Sequence, residues 1–502
     1  GDTMDRCSRR GFIQGAACMA AGAAGLTASA GATAALAEEA AGASYDVVVV
    51  GFGGAGASAA IAAADLGAKV LVVEKAPEGW AGGNTRLSGQ QVLCPSDLEA
   101  AVGYLVAIQD QFSCDEELIR ATTQEMMTNE QALTDLGAKV EYITYSEFPE
   151  VPGSETMTCC LVDGERSTGK AWATYYEGVL ARADSIDVWY DSPAKRLVLD
   201  AEGAVTGVVV EHEGGEVEIA AAKGVIMACG GFENNQDMIQ CYLHLPYGYP
   251  KGTPYNTGDG ILMAMRAGAA LWHMNNPAGP DLNFKDPETN VYYGYSLAMG
   301  IGSRTAIFVG PDGTRFTNEA LMTRHGKLPF HGTYQTAFVA LPAHLVFDDA
   351  AFAAGPVCSN SWSADNQAEL EQGWIVKADT LEELAGLIGV PADGLAAGVA
   401  TYNGYCADGY DPEFKRSAET LVPLAEQGPY YAMELFPTFT NTQGGAVRNA
   451  SCQVMGVDGA PIAGLYSAGE FGSMYAHGYN GGGNVGEAFA TGRMAARACM
   501  GA

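Results

Sequence analysis

A β-branched run followed at once by a glycine loop constrains this chain more than any other feature. Tyr45-Asp46-Val47-Val48-Val49-Val50 has the continuous apolar character of a strand buried on both faces of a parallel sheet. Gly51-Phe52-Gly53-Gly54-Ala55-Gly56 follows, and a small-residue helix is expected over 54–67. Lys69-Val70-Leu71-Val72-Val73-Glu74 then reads as the next parallel strand. In a β-α-β unit the first glycine turns the chain, the second lets backbone touch a pyrophosphate, and the third lets helix pack on strand. The helix N-terminus adds N–H groups and a positive dipole end. Glu74 stands 18 positions after Gly56, where an acid can bind the hydroxyl pair of a ribose. This combination implies a bound nucleotide.

Composition agrees with a large enzyme-sized protein. A length of 502 residues allows two to four domains and an ample core. Glycine accounts for 65 residues, well above the usual ~7%, and clusters without period inside apolar segments. That pattern suits a backbone pressed against a ligand. Twenty-seven basic against 59 acidic residues give a net charge of −32, which repels phosphate backbones and excludes nucleic-acid binding. The same acidity serves solubility and would steer a basic redox partner. The 12 cysteines include one adjacent pair, Cys159-Cys160, but no Cys-x-x-Cys, so neither a zinc site, a disulfide scaffold nor a c-type haem is expected.

The N-terminal region reads as an address. Ser8-Arg9-Arg10-Gly11-Phe12-Ile13-Gln14 precedes an uncharged stretch from Gly11 to Ala37, and Ala35-Leu36-Ala37 offers a cleavage site. A twin-arginine export signal over 1–37 is expected, with a retained membrane anchor as the alternative. That route carries proteins folded around a cofactor. No later stretch approaches ~20 apolar residues, so no membrane span is expected after signal removal.

Further along, 115–137 is expected to be helical, and hairpin signals appear from Ser192 onward at Ala201-Glu202-Gly203 and Glu213-Gly214-Gly215. Gly224-Val225-Ile226-Met227-Ala228 is another buried strand. Between about 270 and 440 the composition shifts toward Tyr, Phe, Asn and Pro; after Asn441 the glycine-rich style returns and a last helix is expected over 484–500. A nucleotide-binding domain interrupted by a substrate domain explains that order.

Downstream motifs carry a resemblance. Gly82-Gly83-Asn84-Thr85, Ala228-Cys229-Gly230-Gly231-Phe232, Thr257-Gly258-Asp259-Gly260, Gly310–Glu319, Gly464–Glu470 and Gly482-Gly483-Asn484 occur in order. With the glycine loop, they resemble the flavoprotein family of soluble fumarate reductases, succinate dehydrogenase flavoprotein subunits, urocanate reductases and 3-ketosteroid dehydrogenases. The resemblance covers 45–500 and implies an α/β fold: a Rossmann-like FAD-binding domain (41–270 and 441–502) interrupted by an α+β substrate-capping domain (271–440). It implies FAD held by Gly51, Gly53, Gly54, Ala55, Gly56, Glu74, Lys75, Ala76, Gly83, Asn84, Thr85, Ser88, Gly89, Ala194, Ala228, Cys229, Gly230, Asp259, Gly469, Glu470, Gly483, Asn484 and Val485. Within that set Glu470 would hold the ribityl or ribose region, and Asn84 and Thr85 the isoalloxazine side. A helix opening at Gly483-Asn484 would stabilise reduced flavin.

The substrate side departs from the family pattern. Its fumarate reductases pass hydride from flavin N5 to one alkene carbon while an arginine protonates the other. Here the candidate is Arg324, one position later than the family spacing, with Thr323 at the expected place and His325 next. The dicarboxylate clamp is replaced by Asn441-Thr442-Gln443-Gly444-Gly445 and Asn480-Gly481-Gly482-Gly483-Asn484, and Trp272-His273-Met274 stands where a His-Pro-Thr segment is usual. Without the carboxylate-binding guanidinium, fumarate is not the expected substrate. Aromatic groups stand instead at Tyr292-Tyr293-Gly294-Tyr295 and Tyr475-Ala476-His477-Gly478-Tyr479, so Tyr475, His477 and Tyr479 join Arg324 as candidate catalytic residues. The expectation is an exported FAD enzyme reducing the C=C bond of an α,β-unsaturated carbonyl-type substrate, a larger enone or aryl small molecule rather than fumarate, fed by a separate cytochrome or flavoprotein. A desaturating 3-ketosteroid-type dehydrogenase and an electron-transfer subunit without substrate remain as alternatives.

Overall fold

A computed structural model describes residues 44–286, 292–293, 305–358 and 362–502. The opening strand, β1 (Ser44–Val50), leads into helix α1 (Gly54–Asp65) and strand β2 (Val70–Val73). β1 and β2 pair in parallel from Val47–Val70 to Val50–Val73. Their valines are buried, as the continuous apolar run requires. Helix α2 (Lys170–Leu180) then leads to β3 (Ile186–Trp189), which extends the parallel ladder beyond β2.

Next come β4 (Ala194–Leu199), β5 (Val205–His212) and β6 (Gly215–Met227), an antiparallel meander at the expected turn signals. Asp200 accepts hydrogen bonds from the N–H groups of Glu202 and Ala204, closing the first turn. The second half of β6 lies parallel to β1, pairing Val48 with Val225. The helical region expected over 115–137 is two helices, Glu116–Met126 and Asn129–Asp135, with Asp115 capping the first. No helix among the described residues is long and apolar enough to cross a membrane.

The chain leaves this sheet through Leu271–Trp272 and Pro277–Ala278 and returns beside itself. Leu271 pairs with Ala446, and Ala278 with Asn441. Between these crossings lies an antiparallel sheet of β7 (Asp281–Lys285), β8 (Ala306–Val309), β9 (Ala343–Asp348), β10 (Val376–Ala378) and β11 (Tyr430–Phe439), two helices α3 (Leu381–Ile388) and α4 (Ala392–Asp408) standing between β10 and β11. The main order is β7-β11-β9-β8. Alternation sends Ile307 and Val309 toward α3 and α4, and Phe308 toward Phe284, Phe347 and Trp362 on the other face. Tyr249–Pro250 also joins β11, so this sheet recruits residues ahead of the composition shift at 270. Tyr292–Tyr293 pairs with β7. Tyr295 and the expected signal over 1–37 lie outside the described residues.

After the return, β12 (Gln453–Met455) and β13 (Pro461–Ser467) complete the first sheet, β13 lying parallel to β6. Helix α5 (Gly483–Met500) packs on α1, where Gly492 allows close approach: a Cβ there would stand 2.5 Å from the Ala55 carbonyl oxygen.

Candidate active site

The three loop glycines do three different jobs. Gly51 has φ +102°, and a Cβ on it would stand 2.5 Å from the Ala228 carbonyl oxygen. A Cβ on Gly56 would stand 1.9 Å from the Gly51 oxygen, so Gly56 serves helix–strand packing and does not line the cavity. At Gly53 the nearest protein atom to such a Cβ is 3.7 Å away, which leaves open space over the start of α1. α1 carries no acidic residue in its first turn and no side-chain cap on its N-terminal residue, so its amide end stands ready for an anion.

That open space belongs to a cavity of about 600 Å³ bounded by the glycine loop, the end of β2, the start of α5, and Thr440 and Asn441 where the chain leaves the second sheet. Glu74 closes β2 there; its carboxylate accepts hydrogen bonds from Phe52 N (2.7 Å) and Ala76 N (2.8 Å), while burial raises its pKa. Lys75 bonds Thr257 Oγ1 at 2.6 Å and pairs with Asp259 at 3.0 Å. Ala76, Gly83, Ser88, Gly89, Ala194, Ala228, Cys229, Gly230, Gly469, Asn484 and Val485 also lie on the wall. Gly483 does not: its Cα packs against the Tyr475 phenol, and a Cβ would stand 2.1 Å from that oxygen. The side chains of Asn484 and Gln443 exchange hydrogen bonds of 2.9 and 3.0 Å.

Asn84 organises the middle of the cavity. Its amide nitrogen donates to Glu233 (2.7 Å) and Glu470 (3.1 Å), and its oxygen accepts from Thr253 N. Thr85 accepts from Gly54 N at 3.2 Å, which ties this turn to the glycine loop. Glu233 follows the Gly-Gly-Phe motif but is not part of it, and no local sequence signal marks it.

At the far end stands a residue that motif spacing passes by. Arg324 and Lys327 exchange backbone hydrogen bonds around His325 (φ +46°) and Gly326 (φ +78°), the geometry of a tight two-residue hairpin turn. Gly326 is required, because a Cβ would stand 1.9 Å from the Gly279 carbonyl carbon. The turn puts His325 at its tip and on the cavity wall, its Nδ1 hydrogen-bonded to Glu147, and its ring edge-on to Tyr479 at 4.7 Å. Glu147 also accepts from Gly481 N at 2.9 Å. Burial foremost, and the Glu147 charge second, raise the Tyr479 pKa, so the phenol keeps its proton. Lys251, ion-paired with Asp281, and Arg166 complete this end.

The other candidate catalytic residues are elsewhere. Arg324 points away, bonded to Glu150 and to the Tyr334 hydroxyl (3.0 Å), and is not on the cavity wall. The hairpin explains this: adjacent residues at its tip and flank face different ways. His477 stacks on Phe112 at 4.2 Å and contacts the Tyr334 carbonyl through Nε2 at 2.8 Å. Burial, with Lys327 nearby, pushes its pKa down to about 4, so it is a neutral scaffold for the loop. Tyr475 is fully buried beneath Gly483 and packs edge-on against Tyr479 at 5.2 Å. Upstream, the Arg315–Glu319 stretch is locked by burial: Arg315 pairs with Glu319 (2.7 Å) and Asp411 (2.9 Å).

The cavity fits FAD. A pyrophosphate has the amide end of α1 over Gly53, a ribose has Glu74, and a heterocyclic edge has Gln91 Nε2 and Asn441 Oδ1. Both of these atoms are buried, lie on residues of the wall, and have no hydrogen-bond partner among the described residues. Residues 46–485 match the FAD binding domain family. The chain is 29% identical to "Probable fumarate reductase Ifc3" of Shewanella frigidimarina, covering 89% of this chain and 74% of that one. It is 28% identical to "Vinyl phenol reductase" of Lactiplantibacillus plantarum, covering 85% and 89%. Among solved structures, 3-ketosteroid delta1-dehydrogenase from Sterolibacterium denitrificans, in complex with 1,4-androstadiene-3,17-dione, superposes with a TM-score of 0.74 at 25% identity, covering 91% of this chain and all of that one. With the cavity, its fit to FAD and these relatives in agreement, the chain belongs to the FAD binding domain family, as an FAD-dependent oxidoreductase acting on CH–CH bonds.

Proposed function

We propose that this enzyme reduces the C=C bond of an α,β-unsaturated or vinyl-aryl substrate other than fumarate, with His325 and Tyr479 as the proton-bearing groups. The observation that carries this reading is the His325–Glu147 pair set edge-on to Tyr479 at the cavity wall. Bound FAD supplies the hydride. Glu147 accepts from Nδ1 and so fixes the His325 tautomer, leaving Nε2 as the ring's other proton site. Tyr479, protonated and apolar over most of its area, suits an aryl or enone face and can give a proton to carbon or polarise a carbonyl. At the clamp positions stand Asn441 and Gly481, which cannot grip a carboxylate bidentately. Similarity to a vinyl phenol reductase supports an aryl substrate.

The opposite direction, desaturation of a ketosteroid-like substrate, uses the same geometry and is favoured by the 0.74 TM-score with the ketosteroid dehydrogenase. On the same reading, 271–440 caps the substrate, export follows the twin-arginine route, and electrons come from a separate cytochrome or flavoprotein. Anaerobic oxidation of reduced viologen by vinyl phenols, enones and fumarate tests the proposal. Turnover with the first two and not with fumarate supports it, while reduction of an artificial acceptor by saturated ketones alone supports desaturation.

A further inference from the structure

Glu233 and Glu470 meet beside the cofactor cavity in an arrangement that neither the loop motif nor the substrate chemistry requires. Asn84 Nδ2 donates to Glu233 Oε1 (2.7 Å) and Glu470 Oε1 (3.1 Å). Asn256 Nδ2 donates to the same two oxygens at 2.8 and 2.7 Å. Glu470 Oε1 also accepts from Gly231 N at 3.0 Å, and Glu233 Oε2 from the Thr442 hydroxyl at 3.0 Å. A buried carboxyl group, Glu233, and a half-buried one on the cavity wall, Glu470, therefore converge on one pair of amide nitrogens.

No lysine or arginine among the described residues bonds either carboxyl. The nearby cations are committed: Lys75 to Asp259, Lys251 to Asp281, and Arg448 to Glu487. Arg448 also donates to the Gly469 carbonyl at 2.8 Å, beside Glu470, but its charge is balanced by Glu487. Neutral amides and one hydroxyl stabilise a single negative charge, and two like charges this close in a buried site do not both form.

We propose that Glu233 is a cofactor-positioning residue whose carboxyl, facing Glu470 across the Asn84 and Asn256 amides, keeps Glu470 protonated at neutral pH, and that FAD binding depends on this proton. Burial, and then the Glu233 charge, raise the Glu470 pKa well above the ordinary carboxylate range, in the same direction. Loss of the proton drives the carboxylates apart and releases Asn84. Because Thr85, the next residue, holds Gly54 N, that release reaches the phosphate loop. The inference rests on the FAD site and is independent of which substrate is reduced.

The test compares holoenzyme and the variant Glu233→Gln. Infrared difference spectra at neutral pH, with and without deuterium exchange, report the carboxylic acid; FAD fluorescence after dilution at increasing pH reports retention. Glu74, also raised by burial, titrates in both proteins, so the difference between them isolates the pair. The wild type is expected to show an acid C=O band that E233Q lacks. Its FAD affinity should fall about tenfold per pH unit above the ionisation of the pair, a decline that E233Q lacks. Glu233→Asp, which keeps the carboxyl, should restore both signals. Absence of the band, or equal pH dependence in wild type and E233Q, overturns the proposal.

Discussion

His325 and Glu147, 178 positions apart in the chain, are joined by a hydrogen bond at the cavity wall, and Glu147 is itself anchored by the N–H of Gly481. The carboxylate thus links the cap hairpin to the loop that opens the last helix. With Nδ1 held by Glu147, the imidazole is oriented for proton exchange through Nε2.

Replacing His325 by Ala is expected to lower C=C reduction by about 10²–10⁴-fold, the usual weight of a general acid or base. FAD content should be unchanged. Glu147→Gln should cost less, since it keeps a hydrogen-bonding partner for Gly481. Steady-state viologen oxidation and the flavin absorbance of each purified variant check this.

Arg324→Ala is expected to leave turnover within about threefold, because its guanidinium is committed to Glu150 and Tyr334 outside the cavity. A part-exposed pair of this kind contributes about 1 kcal/mol or less to stability. A large loss of kcat in R324A would return the proton-donor role to arginine.

Gly51→Ala and Gly53→Ala should fail in different ways. At Gly51 a side chain meets the Ala228 carbonyl and a strained φ, so the variant should lose about 1–3 kcal/mol of stability. At Gly53 a methyl group meets no protein atom within 3.7 Å and enters the open cradle. G53A should fold with near-wild-type Tm and bind FAD about tenfold or more weakly, read by fluorescence titration.

Lys327 carries a pH signature. Its ammonium is fully buried, and burial pushes its pKa down to about 7, with Asp281 opposing. Unfolded lysine titrates near ~10.4, so between those values the unfolded state binds more protons and stability rises with pH. Below about pH 7 both states are protonated and the full cost of the buried charge remains. Lys327→Met should therefore raise Tm most at pH 6, with the gain shrinking toward pH 10. A gain independent of pH contradicts a buried, titrating Lys327.

Legibility in the sequence followed the range of the interactions. The β-α-β unit is local: strand, Gly51-Phe52-Gly53-Gly54-Ala55-Gly56 and Glu74 lie within one short segment, and their roles follow from sterics. Gly483 and Gly56 carry motif signals yet serve packing, because a required glycine marks a close approach without saying to what. Tyr479 is found by its nearness to the last helix. His325 is hidden by its neighbour: spacing points to a residue near 324, but the positive φ at 325 and 326 decides which side chain turns inward. Glu147, Glu233 and Lys251 carry no local pattern, being brought to the cavity only by tertiary packing. His477 next to a glycine loop reads as functional until Phe112 and the Tyr334 carbonyl are seen to hold it.

The most direct measurement is a crystal structure of the purified yellow holoenzyme with a non-reactive vinyl-aryl or enone analogue. The account predicts the pyrophosphate over Gly53, a ribose at Glu74, and the analogue between the flavin ring and the His325–Tyr479 wall, with Arg324 still on Glu150. An analogue gripped by Arg324, or a ring lying away from His325 and Tyr479, would contradict it.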